Sequence, residues 1–95
     1  MKFAFLMMGE FDAMTDHVSM HAGEAQMIGV SGIEEAKAVA ERLQKEGIDC
    51  IELCGAFGAA GAKEIVEVTG NTIPVGYAVH LPEQDEIYAR VFPNG

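Results

Sequence analysis

Two residues near the ends of apolar segments are of types that could transfer protons. Glu52 lies one residue before the end of the apolar run CIEL, and His80 follows the run IPVGYAV. A partly buried carboxylate is a candidate general acid or base, and a histidine beside it could share the proton or help to bind a metal. Each also fits a structural role, Glu52 as a strand-end carboxylate bonded to backbone or lysine, and His80 as a hydrogen-bonded histidine.

A glycine-rich segment, CGAFGAAG at residues 54–61, is the clearest candidate for binding an anion. Its glycines could expose backbone amides just before a predicted helix, whose first turn carries a positive partial charge. The spacing matches neither the dinucleotide fingerprint nor the phosphate-binding loop, in which lysine follows the last glycine directly. The alternative is a tight corner in which a small-residue helix packs against a sheet.

The two cysteines are expected to be reduced thiols. Cys50 and Cys54 are four residues apart, and four residues of strand span about 13 Å, which is too far for a disulfide. Free thiols are typical of a cytoplasmic protein. Cys54 could act as a nucleophile if a helix N-terminus lowered its pKa, and is otherwise a buried thiol.

His17 and His21 have the spacing that binds a metal from one face of a helix. Glu10 or Asp12 could complete such a site, but the segment HVSMH is not a convincing helix. We therefore assign no metal, and an ordinary loop remains the alternative. The sequence names no cofactor, and it contains neither a Ser-His-Asp order nor a redox Cys-x-x-Cys motif.

The length and charge of the chain restrict its class. Its 95 residues predict a single domain, 1–95, and 49% hydrophobic residues are ordinary for a globular protein. The formal net charge of −9 argues against nucleic acid and against anionic lipid as partners. No apolar run is long enough to span a membrane. The apolar start lacks a small-residue cleavage site, so we interpret it as a strand rather than a signal peptide.

Hydrophobic patterning predicts alternating strands and helices. The strands are expected at residues 2–8, 24–30, 48–53 and 73–79. The helices are expected at residues 31–47, 59–68 and 82–92, with Pro93 ending the last one.

The helix at residues 31–47 has the clearest pattern. Ser31 and Glu34 have the spacing of a capping box, and Gly47 suits a left-handed C-terminal position. The expected buried stripe consists of Ile33, Ala36, Val39, Ala40 and Leu43.

The fold expected from these elements is a compact α/β domain. Its mainly parallel four-stranded sheet carries two or three helices in a βαβαβ order, as in a flavodoxin-like protein or a barrel fragment. Ligands of such sheets bind beyond the carboxyl ends of the strands. Ligand-binding residues are therefore expected among Glu10, Ser31, Cys54, Gly55, Ala56, Phe57 and Gly58. Three helices cover two sheet faces poorly, which favours a homo-oligomer.

The segments GEFD, GIDCIELCGAFG and IPVGY together resemble a small prokaryotic family of proteins that has no assigned function. The resemblance covers most of the chain, and CGAFG is its most specific part. It implies a free-standing, single-domain cytoplasmic protein and supplies no catalytic residues.

Three hypotheses for the function follow. The first is a binding module for a small acidic or phosphorylated metabolite at the strand ends. The second is a small lyase, isomerase or hydrolase that uses Glu52 and His80 for acid–base chemistry, with loop amides stabilising an oxyanion. The third is a structural oligomer without a ligand.

Overall fold

The apolar segments form one mixed sheet in a computed structural model that describes residues 1–93. The last two residues of the predicted domain, Asn94 and Gly95, lie outside the described residues. The strands are β1 (Phe3–Met8), β2 (His17–Met20), β3 (Ala25–Val30), β4 (Cys50–Leu53) and β5 (Val75–Tyr77). The helices are α1 (Ile33–Lys45), α2 (Gly58–Val68) and α3 (Asp85–Val91), with short 3-10 turns before α2 and α3.

The sheet has five strands in the order β2-β3-β1-β4-β5. Strands β3, β1, β4 and β5 run parallel, as predicted, and β2 pairs antiparallel with β3 at one edge. The expected count of four strands is therefore wrong. Strand β2 was missed because all four of its residues are exposed, so no buried alternation marks it in the sequence. Strand β2 lies in the connection from β1 to β3, where a flavodoxin-like fold would have its first crossover helix.

The hydrophobic core lies on a single face of the sheet. Helices α1 and α2 cover this face, and the predicted α1 stripe is buried apart from the half-buried Ile33. The largest fully buried side chains include Leu6, Ile28, Leu43, Ile51, Leu53 and Ile65. Both helices lie on this face because each belongs to a right-handed crossover running in the same direction, β3 to β4 and β4 to β5.

Helix α1 ends as the sequence predicts but begins differently. Gly47 has φ +88°, and the Ile48 amide donates to the Leu43 carbonyl as in a Schellman motif. The predicted capping box does not form. The Ser31 amide instead donates to the carboxylate of Glu35 at 2.7 Å, while Glu34 pairs with Lys37.

The other face of the sheet is covered by neither α1 nor α2. We call it the open face, and its outward residues larger than alanine are Phe3, Phe5, Met7, Val18, Met20, Met27, Cys50 and Glu52. Val18 is 62% exposed and Met20 is 65% exposed. A predominantly apolar surface therefore faces solvent in the single chain.

The last described residues, 79–93, form a segment that we call the C-terminal arm. The arm includes the predicted helix, whose first turn is a 3-10 turn, and every one of its side chains is exposed. Contacts within the arm order it, because the His80 ring stacks on Tyr88 with centroids 3.8 Å apart and Nε2 lies 2.7 Å from Asp85 Oδ1. The arm therefore contributes no residue to the hydrophobic core.

The glycines between β4 and α2 have structural reasons. Gly58 has φ +61° and ψ −176°, a region that is essentially restricted to glycine. A Cβ on Gly61 would approach the Phe57 Cβ to 3.1 Å, and Phe57 is buried in the core. The tight-corner interpretation of this segment thus accounts for both glycines.

Gly58→Ala is expected to lower the free energy of unfolding by about 1–3 kcal/mol, because alanine strains the left-handed conformation. Gly55→Ala is the matched control, since its Cβ would only reach ordinary contact with the Ala78 carbonyl at 3.4 Å. Urea denaturation followed by circular dichroism measures both variants, and the control should change by less than about 0.5 kcal/mol. Equal losses would contradict this account of Gly58.

Candidate functional site

The carboxyl ends of the four parallel strands meet at one edge of the sheet, as the predicted topology requires. Backbone hydrogen bonds join the ends, with the Gly9 amide donating to Val30 and the Cys54 amide donating to Leu6, both at 3.0 Å. The Ala78 amide donates to the Leu53 carbonyl at 2.9 Å. The predicted ligand-binding positions after β1, β3 and β4 therefore lie along this edge.

Two of these positions follow β1 and β3, where Glu10 precedes the loop to β2 and Ser31 precedes α1. Glu10 is exposed directly after β1. Ser31 is also exposed, but its amide is already occupied by the Glu35 carboxylate. The start of α1 thus binds a carboxylate from its own chain, which leaves less room for an external anion there.

The residues of the glycine-rich segment have divided roles. The Cys54 thiol is half-buried and accepts a hydrogen bond from the Met8 amide at 3.3 Å, which ties the ends of β1 and β4 together. Phe57 is only 6% exposed and anchors the 3-10 turn in the core. Gly55 and Ala56 are exposed, so they are the parts of this segment that a ligand could approach.

Glu52 lies on the open face and is exposed. Its Oε2 lies 2.7 Å from the place that a Cβ would occupy on Gly76, so the carboxylate extends across the β5 backbone. The expectation of partial burial is therefore wrong, because the face that carries Glu52 has no helix over it. Glu52 and Cys50 share this face of β4.

His80 belongs to the C-terminal arm and interacts with arm residues. Its ring contacts Tyr88 and Asp85, as described above, whereas Glu52 lies against Gly76. The two acid–base candidates thus have different partners.

His17 and His21 are separated by a strand and a turn rather than by one turn of helix. His17 begins β2 and its Nε2 lies 3.0 Å from Gln26 Oε1, while His21 occupies the β2–β3 turn with φ +53°. Four residues of strand span about 13 Å, so the helix-face geometry does not form. Among residues 1–93, no group of three or more His, Cys, Asp or Glu side chains is placed to hold a metal ion.

Sequence reasoning missed a shallow cleft of about 230 Å³ at the edge of the open face. Phe11 lies over Gly29 so closely that a Cβ there would come within 2.5 Å of the ring. Met7, Val18 and Met27 line the cleft together with Thr15, Asp16 and His17. A glycine inside a strand often marks such a close approach, so Gly29 was the available signal. The cleft is smaller than most ligand pockets, which hold about 300–1,000 Å³.

The Cys50 thiol lies on the open face, in an environment that opposes its ionisation. Burial raises the pKa of the Cys50 thiol, and the negative charges of Glu52 and Asp49 raise it further. The thiol therefore stays protonated at neutral pH and is a poor nucleophile.

Glu52→Gln is expected to raise the rate of Cys50 alkylation at pH 8.5 by about twofold in dilute protein, where single subunits expose the open face. The substitution removes one of the two negative charges that raise the pKa, so more thiolate is present, while burial still holds the pKa up. Mass spectrometry of the Cys50 peptide after timed iodoacetamide treatment measures the rate, with Glu41→Gln on α1 as the control. An unchanged or slower rate in Glu52→Gln would contradict the conclusion that the carboxylate raises the pKa of the thiol.

The described residues 1–93 contain no helix that is both long enough and apolar enough to cross a membrane. Both cysteines are free thiols in the structure, in agreement with the prediction from their spacing.

Comparison with known proteins places the chain in a family without providing a function. A search of curated proteins and a search of solved structures each found no match. A model described as a family of unknown function, DUF6506, matches residues 1–93. The match supports the resemblance to a family without assigned function, while prokaryotic origin and the role of the quoted segments stay predictions. The chain therefore belongs to DUF6506, a family of unknown function.

Proposed function

We propose that this protein works as a homo-oligomer whose subunits associate through the open face of the sheet. The observation that supports this most strongly is the contrast between the two faces. One carries the whole core beneath α1 and α2, while the other exposes Phe3, Val18, Met20 and Met27. Monomeric soluble proteins rarely expose contiguous apolar surface of more than a few hundred Å².

The size of the chain supports the same proposal. A domain of 95 residues buries only about 60 to 65% of the surface that its unfolded chain exposes, so its stability margin is thin. Association is a common source of additional stability for such small domains. Covering the open face would give the sheet a second apolar layer without lengthening the chain.

The distribution of charge also fits association with another copy. Glu52 is the only charged residue among the eight that define the open face, so the centre of an interface there can be apolar. The net charge of −9 opposes a nucleic acid or an anionic membrane as the occupant. The acids elsewhere on the surface limit indiscriminate aggregation.

A second candidate is the binding of a small acidic or phosphorylated metabolite at the carboxyl edge of the strands. Helix α2 begins there with no side-chain cap and no acid in its first turn, and Ala59 and Ala60 are exposed. Lys63 follows one turn later.

The enzymatic alternative has less support, because Glu52 and His80 engage different partners. A cytoplasmic location remains our proposal, from the thiols and the family resemblance.

Size-exclusion chromatography with light scattering from about 1 to 200 µM is expected to find an oligomer of the unmodified chain. Val18→Asp should raise the dissociation constant at least tenfold, because it places a carboxylate in the apolar interface. Met14→Asp is the matched control, since Met14 is 85% exposed but lies outside the open face. A monomer throughout this range would refute assembly, and equal effects of both variants would refute the open face as the interface.

For the second candidate, inorganic phosphate is expected to shift the backbone amide resonances of Ala59, Ala60 and Gly61 in an NMR titration. Ala60→Glu should weaken this response at least tenfold, because a carboxylate in the first turn competes for the same amides. Ala38→Glu adds the same charge at an exposed position of α1 and should leave the response unchanged. Absent shifts, or shifts that persist in Ala60→Glu, would contradict anion binding at α2.

A further inference from the structure

We infer that the element covering the open face is the C-terminal arm of a second copy of this chain, exchanged reciprocally between two subunits. The inference rests on the proposed function and goes further, because it names the segment that occupies the face. Its basis is that one chain carries two apolar surfaces, the arm and the open face, and that both are exposed in the single subunit.

The arm has little packing of its own, and none of it belongs to the hydrophobic core. Helix α3 spans seven residues, and none of its side chains is buried. Isolated helices shorter than about 12–15 residues are marginal in water, because few hydrogen bonds offset the cost of nucleation. The stack of His80 on Tyr88 and the bond to Asp85 fix the shape of the arm, but its large apolar side chains all remain at least 42% exposed.

The apolar residues of the arm are arranged for docking. Ile87 with Val91, and Tyr88 with Phe92, are pairs four residues apart, so they form adjacent rows along one side of the helix. Their exposures range from 42% for Tyr88 to 64% for Val91. Such spacing is typical of a helix that lays an apolar side on another surface.

The position of the arm favours a second copy over the chain's own face. The arm leaves from β5, at the edge opposite β2, and its helix has no extensive packing against any strand. Val18, Met20 and Met27 of the open face lie on β2 and β3, at least three strand spacings, or about 14 Å, from β5. In a dimer with a two-fold axis, the arm of each subunit can reach the open face of its partner. Both subunits then bury their arm and their open face.

The available area is sufficient for a stable dimer. The arm exposes six large apolar side chains, and the open face adds a second set. From the exposed fractions, the two surfaces together amount to roughly 1,000 Å² per subunit, whereas a standard interface buries about 800 Å² per partner. Neither surface reaches the standard size alone, which favours an interface that uses both.

The experiment combines one variant of each surface in the full chain. Val91→Asp alters the arm, Val18→Asp alters the open face, and Met14→Asp is the control for an added exposed carboxylate. The three positions are 62% or more exposed, so the subunit fold should tolerate each change. Light scattering gives the dissociation constants, and native mass spectrometry of mixtures, with one variant ¹⁵N-labelled, identifies heterodimers.

Exchange predicts that Val91→Asp and Val18→Asp each raise the dissociation constant at least tenfold, while Met14→Asp has no effect. Their mixture should form heterodimers in preference to either homodimer. The reason is that the intact arm of the Val18→Asp chain can bind the intact face of the Val91→Asp chain.

Three results would overturn the inference. If Val91→Asp dimerises as tightly as the unmodified chain while Val18→Asp does not, the open face is an interface that the arm does not enter. If both variants are weakened but no preferred heterodimer appears, the arm acts within its own chain. If the unmodified chain is monomeric, the inference and the proposed function both fail.

Discussion

The handedness of its two crossovers is the constraint on which the rest of this structure depends. A right-handed crossover sets the side of the sheet on which its helix lies. The chain moves from β3 to β4 and then to β5 in one direction, so α1 and α2 lie on the same side. Only the connection from β1 to β3 runs the other way. It contains a loop and strand β2 instead of a helix, and the opposite face therefore stays open.

The open face accounts for several local features that would otherwise look unrelated. Glu52 is exposed because its side of β4 faces away from the helices. Phe11 folds over Gly29 and covers only one corner of this face. The arm carries apolar residues that stay exposed within the described residues 1–93. A second copy of the chain would cover the open face and the arm together. We therefore favour assembly over a ligand site as the function.

The parts of the fold that local patterns determine could be predicted from the sequence. The α1 stripe, the left-handed Gly47 and the parallel strands follow from periodicity and from residue conformational preference. Strand β2 could not be predicted, because an exposed edge strand has no buried alternation. The carboxylate that accepts the Ser31 amide is that of Glu35 rather than Glu34. This difference of one residue depends on the extended backbone at Gly32.

The candidate site was predicted less well than the fold, because it depends on global arrangement. Parallel topology correctly placed the strand ends at one edge. The burial of Glu52, however, depends on which face the helices occupy, and the environment of His80 depends on the arm. The most direct test of the account is an isotope-filtered NOE experiment on a mixture of ¹³C-labelled and unlabelled chains. The account predicts intermolecular NOEs from the methyl groups of Ile87 and Val91 to those of Val18 and Met27. NOEs between these groups within one chain only, or no such NOEs, would contradict it.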